Sequence, residues 1–138
     1  MREILFKAKR INNGKWIEGY YLRDQYHIGG KDIIFYRKDS DRFTVYTNII
    51  DIETLCQFTG LYDKNGNKIW ENDILMAHLD ESYPEDAAYE TVKWSVAGWA
   101  AHETGSTDRE YLDKFDLEHF EVVGNIFDNK ELLQEENK

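Results

Sequence analysis

The sequence predicts a mainly β fold, and three observations carry that prediction. Apolar and polar residues alternate over short runs, turn-forming residues interrupt those runs every few positions, and aromatic residues make up 14% of the 138-residue chain. With 41% hydrophobic residues overall, this composition is wrong for a disordered acidic chain and right for a packed core rich in strands. A chain of this length can bury such a core without a disulfide or metal staple. The single cysteine, Cys56, excludes an internal disulfide framework.

The elements follow in order. Residues 4–9 read as a strand with Ile4, Phe6 and Ala8 on one face. Asn12, Asn13, Gly14 and Lys15 make a turn, because Asn and Gly tolerate positive φ. Residues 16–22 return as the second strand of a hairpin, with Trp16, Glu18 and Tyr20 on one side and Ile17, Gly19 and Tyr21 on the other. Gly29 and Gly30 break the chain, and residues 33–36 and 43–46 form two strands around the polar turn at 38–41. Residues 54–59 read as a strand closed by Gly60, and residues 62–68 as the clearest turn. An apolar strand follows at 74–79, then an acidic loop at 80–88 around Pro84, the only proline. Val92 and Trp94 share a face of the next strand, Gly98 separates it from Trp99, and residues 120–127 form the last strand. Asp128 is the expected N-cap of a short helix over 131–136, with Glu131 as its capping-box partner.

This pattern suggests N-terminal β-hairpins over residues 1–60. Residues 61–138 suit a small, strongly bent barrel of about five strands, the size class of SH3-like folds, with a C-terminal helix. The two regions are allowed to pack as one unit.

The formal charge of −10 argues against a protein that coats nucleic acid or an anionic membrane with its whole surface. The charge is unevenly spread. Residues 1–69 hold 12 basic and 9 acidic residues (+3), and residues 70–138 hold 5 and 18 (−13). No apolar run reaches the roughly 18 residues of a membrane span, and the charged N-terminus has no signal-peptide pattern, so a cytoplasmic setting is expected.

Motifs for chemistry are few. Cys56 sits mid-strand on the same face as Phe58 and reads as a small core thiol rather than a nucleophile. His27, His78, His102 and His119 show no metal-ligand spacing; His78, beside Asp80 and Glu81, is the first to test. The Asp63–Asn67 stretch lacks the glycine and glutamate positions of an EF-hand, and a β-turn explains it. Phosphate-binding glycine loops and nucleophile elbows are absent. No enzyme activity and no cofactor are expected. Two groups are binding candidates. Lys7, Lys9, Arg10, Lys15 and Trp16 could contact nucleic acid through phosphate neutralisation and base stacking. Asp80, Glu81, Glu85, Asp86 and Trp99 could contact a protein partner.

Three blocks together resemble the YopX-like family of bacteriophage and prophage proteins. They are residues 1–22, residues 54–75, and residues 89–100 with 120–133. The middle block is the most specific: Phe58-Thr59-Gly60-Leu61, Asp63-Lys64-Asn65-Gly66, Ile69, and Glu71-Asn72-Asp73-Ile74. The family usually has glycine at Asn72, and Asn also accepts left-handed backbone geometry. The resemblance implies a mainly β fold with an SH3-like C-terminal barrel, a phage or prophage origin and a cytoplasmic setting. It carries no catalytic residue across. Its motif residues read as structural, with Phe58, Leu61, Ile69, Trp94, Val122 and Ile126 as core.

The expected function is a non-enzymatic binding or assembly module acting through protein contacts, as a homo-oligomer or with a host or phage partner. The surplus of aromatics, including Trp16, Trp70, Trp94 and Trp99, motivates it. The alternatives are nucleic-acid binding through the basic N-terminal half, and an acidic effector that occupies a host protein's DNA-binding surface.

Overall fold

A computed structural model describes residues 4–25, 30–78, 87–103, 110–112 and 116–134. The fold is mainly β, as expected, and the chain divides into two units, Met1–Phe58 and Thr59–Lys138.

The first unit holds β1 (Phe6–Lys9), β2 (Trp16–Asp24), β3 (Lys31–Lys38), β4 (Asp41–Ile49) and the start of β5 (Cys56–Tyr62). Their order in the sheet is β4-β3-β2-β1-β5. The β1–β2 hairpin pairs Phe6 with Gly19 and Lys9 with Trp16, and Gly14 takes φ +69° in its turn. Alternation sorts each strand into two faces. The inner face collects Ala8, Ile17 and Ile34, which with Ile50 form a buried cluster; Phe6, Tyr21, Tyr36 and Leu55 pack against it. The end of β1 also meets the end of β4. Arg10 bridges Ile50, Ile11 N donates to Ile49 O at 3.1 Å, and Asp51 N donates to Lys9 O at 2.9 Å. This tie bends the sheet around its inner face, which is why four strands bury a core of their own.

Residues 52–54 form a 3₁₀ turn rather than the start of a strand. Asp51 caps it by accepting from Glu53 N, and Thr54 Oγ1 accepts from Lys9 N at 2.8 Å. Cys56 is 1% exposed, as a core thiol should be.

In the second unit, β6 (Lys68–Trp70) lies beside β5. β7 (Asp73–His78), β8 (Ala87–Ser95), β9 (Gly98–Glu103), β10 (Glu110–Tyr111) and β11 (Phe120–Asn125) form a second sheet, in the order β10-β9-β8-β7-β11. Ile69, Leu75, Val92, Trp99 and Phe120 are its core, with Leu61 and Val122 packed against them. The expected closed barrel is not seen: among the described residues this sheet ends at β10 on one side and β11 on the other. Trp94, expected in the core, is 56% exposed and meets Trp99 edge-on at 5.0 Å. The core position is filled by Trp99 instead, because β8 turns Val92 fully inward while Trp94 lies at the strand's end beside the 95–98 turn. Ile126 falls in the turn after β11 and is only half-buried.

The 62–68 turn is built on one carboxylate. Asp63 Oδ1 accepts from Asn65 N at 2.9 Å and Asn67 N at 2.8 Å, and Oδ2 accepts from Val122 N at 2.9 Å. The turn is thereby fastened to β11. Asn72 adopts φ +70°, the left-handed geometry for which Asn can replace Gly. Asp73 Oδ2 accepts from Trp70 N at 2.8 Å. At the C-terminus, α1 (Glu131–Gln134) starts later than an Asp128 cap requires. Asp128 instead accepts from Asn125 Nδ2 at 3.1 Å, and Asn125 Oδ1 accepts from Phe127 N and Asp128 N.

Two carboxylates make opposite contributions to stability. Burial pushes the Asp63 carboxyl up, but the N–H donors of Val122, Asn67 and Asn65 outweigh it and hold the group below its ordinary value. Its stabilisation is complete above the ordinary Asp range and is lost as pH falls through the lowered value. Asp63→Ala should cost about 2–4 kcal/mol at neutral pH, measured by urea unfolding, because three backbone donors lose a charged acceptor. Glu90 lies on the core side of β8, opposite Glu103. Desolvation, then Glu110 and Glu103, raises its carboxyl above the ordinary value. The native state therefore holds that proton more tightly, and stability falls as pH rises from about 4.3 through the raised value. Glu90→Gln should raise Tm at pH 7 by a few degrees and give no gain below pH ~4, by calorimetry.

Candidate binding surface of the N-terminal sheet

The outer face of the first sheet is also apolar. Register sets two rows across it: Tyr20–Phe35–Thr47 and Leu22–Ile33–Ile49. Val45 and Phe43 are exposed as well, in the stretch of β4 where the register with β3 shifts between Tyr46 and Asp41. Among the described residues nothing covers this surface fully. Tyr20 and Leu22 are each 50% exposed, and Phe43 is 100% exposed. The Tyr20 and Phe35 rings lie 5.7 Å apart at 39°, a tilted contact within the attractive range for aromatic pairs.

Lys7 and Lys9 extend this face onto β1. Their Nζ atoms stand 4.7 and 5.4 Å from the centroid of the Trp16 ring, within cation–π distance. The structure thus brings three of the five basic-group candidates together on one side. Lys15 lies exposed in the hairpin turn, where its N–H donates to Asn13 Oδ1 at 2.9 Å. Arg10 lies past the end of β1, with its Nε buried and without a hydrogen-bond partner among the described residues. It lines a cavity of about 450 Å³ with Ile11, Asn12, Lys31, Thr47, Asn48 and Ile49. Two cations and three neutral polar side chains line it, with no carboxylate.

Of the acidic-group candidates, Asp80, Glu81, Glu85 and Asp86 lie outside the described residues. Trp99, expected to be available at a surface, is a correction: it is 7% exposed and faces the core, and Trp94 is the exposed tryptophan of that pair. The side chain of His78 is not described, and the described residues contain no cluster of His, Cys, Asp or Glu that could hold a metal.

Sequence reasoning placed Trp16 and Tyr20 on one side of β2 but missed that Leu22, Ile33, Phe35 and Ile49 continue the same face. A signal was present: Ile33 to Tyr36 is apolar at every position, which makes both faces of β3 apolar.

On the inner side, Gly19 is required by close approach. A Cβ there would stand 2.4 Å from Phe35 O and 2.8 Å from Ile34 Cγ2. Four residues further along the hairpin, opposite Arg23, Asp32 accepts from Tyr21 OH at 2.6 Å and from Arg23 at 2.7 Å. That hydrogen bond to Asp32 is the main reason the Tyr21 phenol is raised above its ordinary value.

The family model described as YopX protein matches residues 5–134. No curated protein matches the chain. Among solved structures, the crystal structure of protein EF1440 from Enterococcus faecalis is similar, at 21% identity and a TM-score of 0.61. It covers 96% of this chain and 99% of its own. At that identity the likeness is one of fold. No helix among the described residues is long and apolar enough to cross a membrane.

Gly19→Ala should lower stability by about 2–3 kcal/mol in chemical denaturation, because the obstacle is backbone that cannot move aside cheaply.

Proposed function

The chain belongs to the YopX family, and from that premise we propose that it is a non-enzymatic binding or assembly module of phage or prophage type. Its contacts are made with protein through the outer face of the N-terminal sheet. One observation carries this reading: Tyr20, Leu22 and Ile49 leave an apolar face exposed beside a core that is already filled, with Val45 and Phe43 also exposed along β4. Exposed apolar area of this kind is costly in water and marks interaction surfaces. Aromatic anchors such as Tyr20 and Phe43 supply large contact area at low entropy cost. The module works inside the host cell, without a cofactor.

A second reading has its own observation. Lys7 and Lys9 beside Trp16 combine phosphate-neutralising charge with a ring that can stack on an unpaired base. The charges flanking the apolar rows, Lys7, Lys9, Glu18, Asp24 and Lys31, are of mixed sign, which favours protein over nucleic acid as the main occupant.

A photo-crosslinking residue at position 20 or 22, in the full chain expressed in cells, separates the two. Protein adducts are expected, absent from a control at exposed Lys130. Adducts to nucleic acid alone, with binding that weakens steeply in salt and is lost in a Lys7→Gln, Lys9→Gln variant, would overturn the protein reading.

A further inference from the structure

We propose that the cavity lined by Arg10 and Lys31 binds a phosphorylated small molecule, held by its phosphate group. This goes beyond the protein-contact reading and does not depend on it.

The cavity lies where three segments meet: residues 10–12 after β1, Lys31 at the start of β3, and residues 47–49 at the end of β4. Backbone hydrogen bonds fix all three. Ile11 N donates to Ile49 O at 3.1 Å, and Ile50 N donates to Asp32 O at 3.0 Å. Arg10 is held from both sides, its N donating to Lys15 O and its O accepting from Gly14 N, each at 2.9 Å. A site set on paired backbone keeps its shape before a ligand arrives.

The chemistry of the wall selects an anion. Arg10 and Lys31 are cations, and among the described residues neither forms an ion pair. Asp24, opposite Lys31 in the ladder, is not part of the wall, and no other carboxylate lines it. Arg10 Nε is buried without an acceptor among the described residues. Buried N–H donors are nearly always satisfied, so an orphaned one on a guanidinium at a cavity demands an acceptor from outside the chain. In a chain with a formal charge of −10, two cations left uncompensated at one place run against the general balance.

Phosphate fits these donors better than carboxylate does. A phosphate monoester carries close to two negative charges at neutral pH and presents three acceptor oxygens. Two cations match that charge, and the planar fork of an arginine matches the oxygens. The Thr47 hydroxyl and the Asn12 and Asn48 amides add neutral donors. A carboxylate, with a single charge, would leave one cation uncompensated.

Size points past a bare phosphate. The cavity measures about 450 Å³, within the range of small-molecule pockets. Ile11 and Ile49 give it an apolar side, which suits the organic part of an ester and not an ion alone.

Titration calorimetry of the full chain tests the proposal. The probes are inorganic phosphate, adenosine and uridine monophosphates and glucose 6-phosphate, with adenosine and acetate as controls. The esters are expected to bind and the controls are not. Binding should weaken as pH falls through about 6, where the phosphate loses its second charge; no lining side chain titrates in that range. Inorganic phosphate should bind more weakly than the best ester. Arg10→Gln and Lys31→Gln should each weaken the best ester by about tenfold or more, with an unchanged circular dichroism spectrum. Lys31 is exposed, so its variant decides the matter if Arg10→Gln fails to fold. No binding by any phosphate, binding indifferent to both variants, or acetate binding as tightly as the esters would overturn the proposal. Inorganic phosphate equal to every ester would overturn its organic part. A 5′-phosphorylated oligonucleotide held far more tightly than any mononucleotide, through the same two residues, would overturn the small-molecule assignment in favour of nucleic acid.

Discussion

The meeting of the two strand ends, Arg10 with Ile50, is the constraint from which the first unit follows. It bends four strands so that one face closes over Ala8, Ile17, Ile34 and Ile50. A sheet that supplies its own cover needs no second layer on that side. On its other face the apolar Tyr20, Leu22 and Ile49 remain about half exposed. The same tie occupies the C=O of Ile49 at the outer side of β4.

The second unit depends on a different device. Asp63 is buried, yet it keeps its charge because backbone N–H groups on two sides of it point inward. A neutral residue could make the local turn, but it could not also hold Val122 of β11 as strongly, since a charged acceptor binds roughly twice as tightly. The Asp-Lys-Asn-Gly stretch is therefore a fastening between a turn and a distant strand. This explains a strongly patterned segment without assigning it chemistry, and the resemblance to a calcium loop ends there.

The part of the fold that was legible was local. The β1–β2 hairpin, the 62–68 turn and the left-handed Asn72 depend on residues close in sequence, and the structure has them as read. Strand ends were less legible. β3 and β4 run longer than their apolar centres because neighbouring strands supply hydrogen-bond partners to polar residues such as Lys31 and Asp41. Trp94 and Trp99 were assigned the wrong way round. They lie five residues apart across a turn, and alternation within each strand does not decide which of two facing tryptophans the core takes. Of the basic group, Lys7, Lys9 and Trp16 come together because β1 and β2 are hairpin partners. Arg10 departs from them because its position is set by Ile50, forty residues away.

By itself the sequence determined the fold class, the hairpins and turns, the lone buried thiol and the family, since these rest on local periodicity, turn chemistry and motif order. Only the tertiary structure decided which of the apolar residues are covered. Burial depends on which strands become neighbours, and that is fixed by contacts between residues far apart in the chain. The aromatic surplus was visible from composition. That Tyr20 and Phe35 meet on one open face while Trp70 and Trp99 go to buried positions follows from strand pairing in a register the sequence does not state.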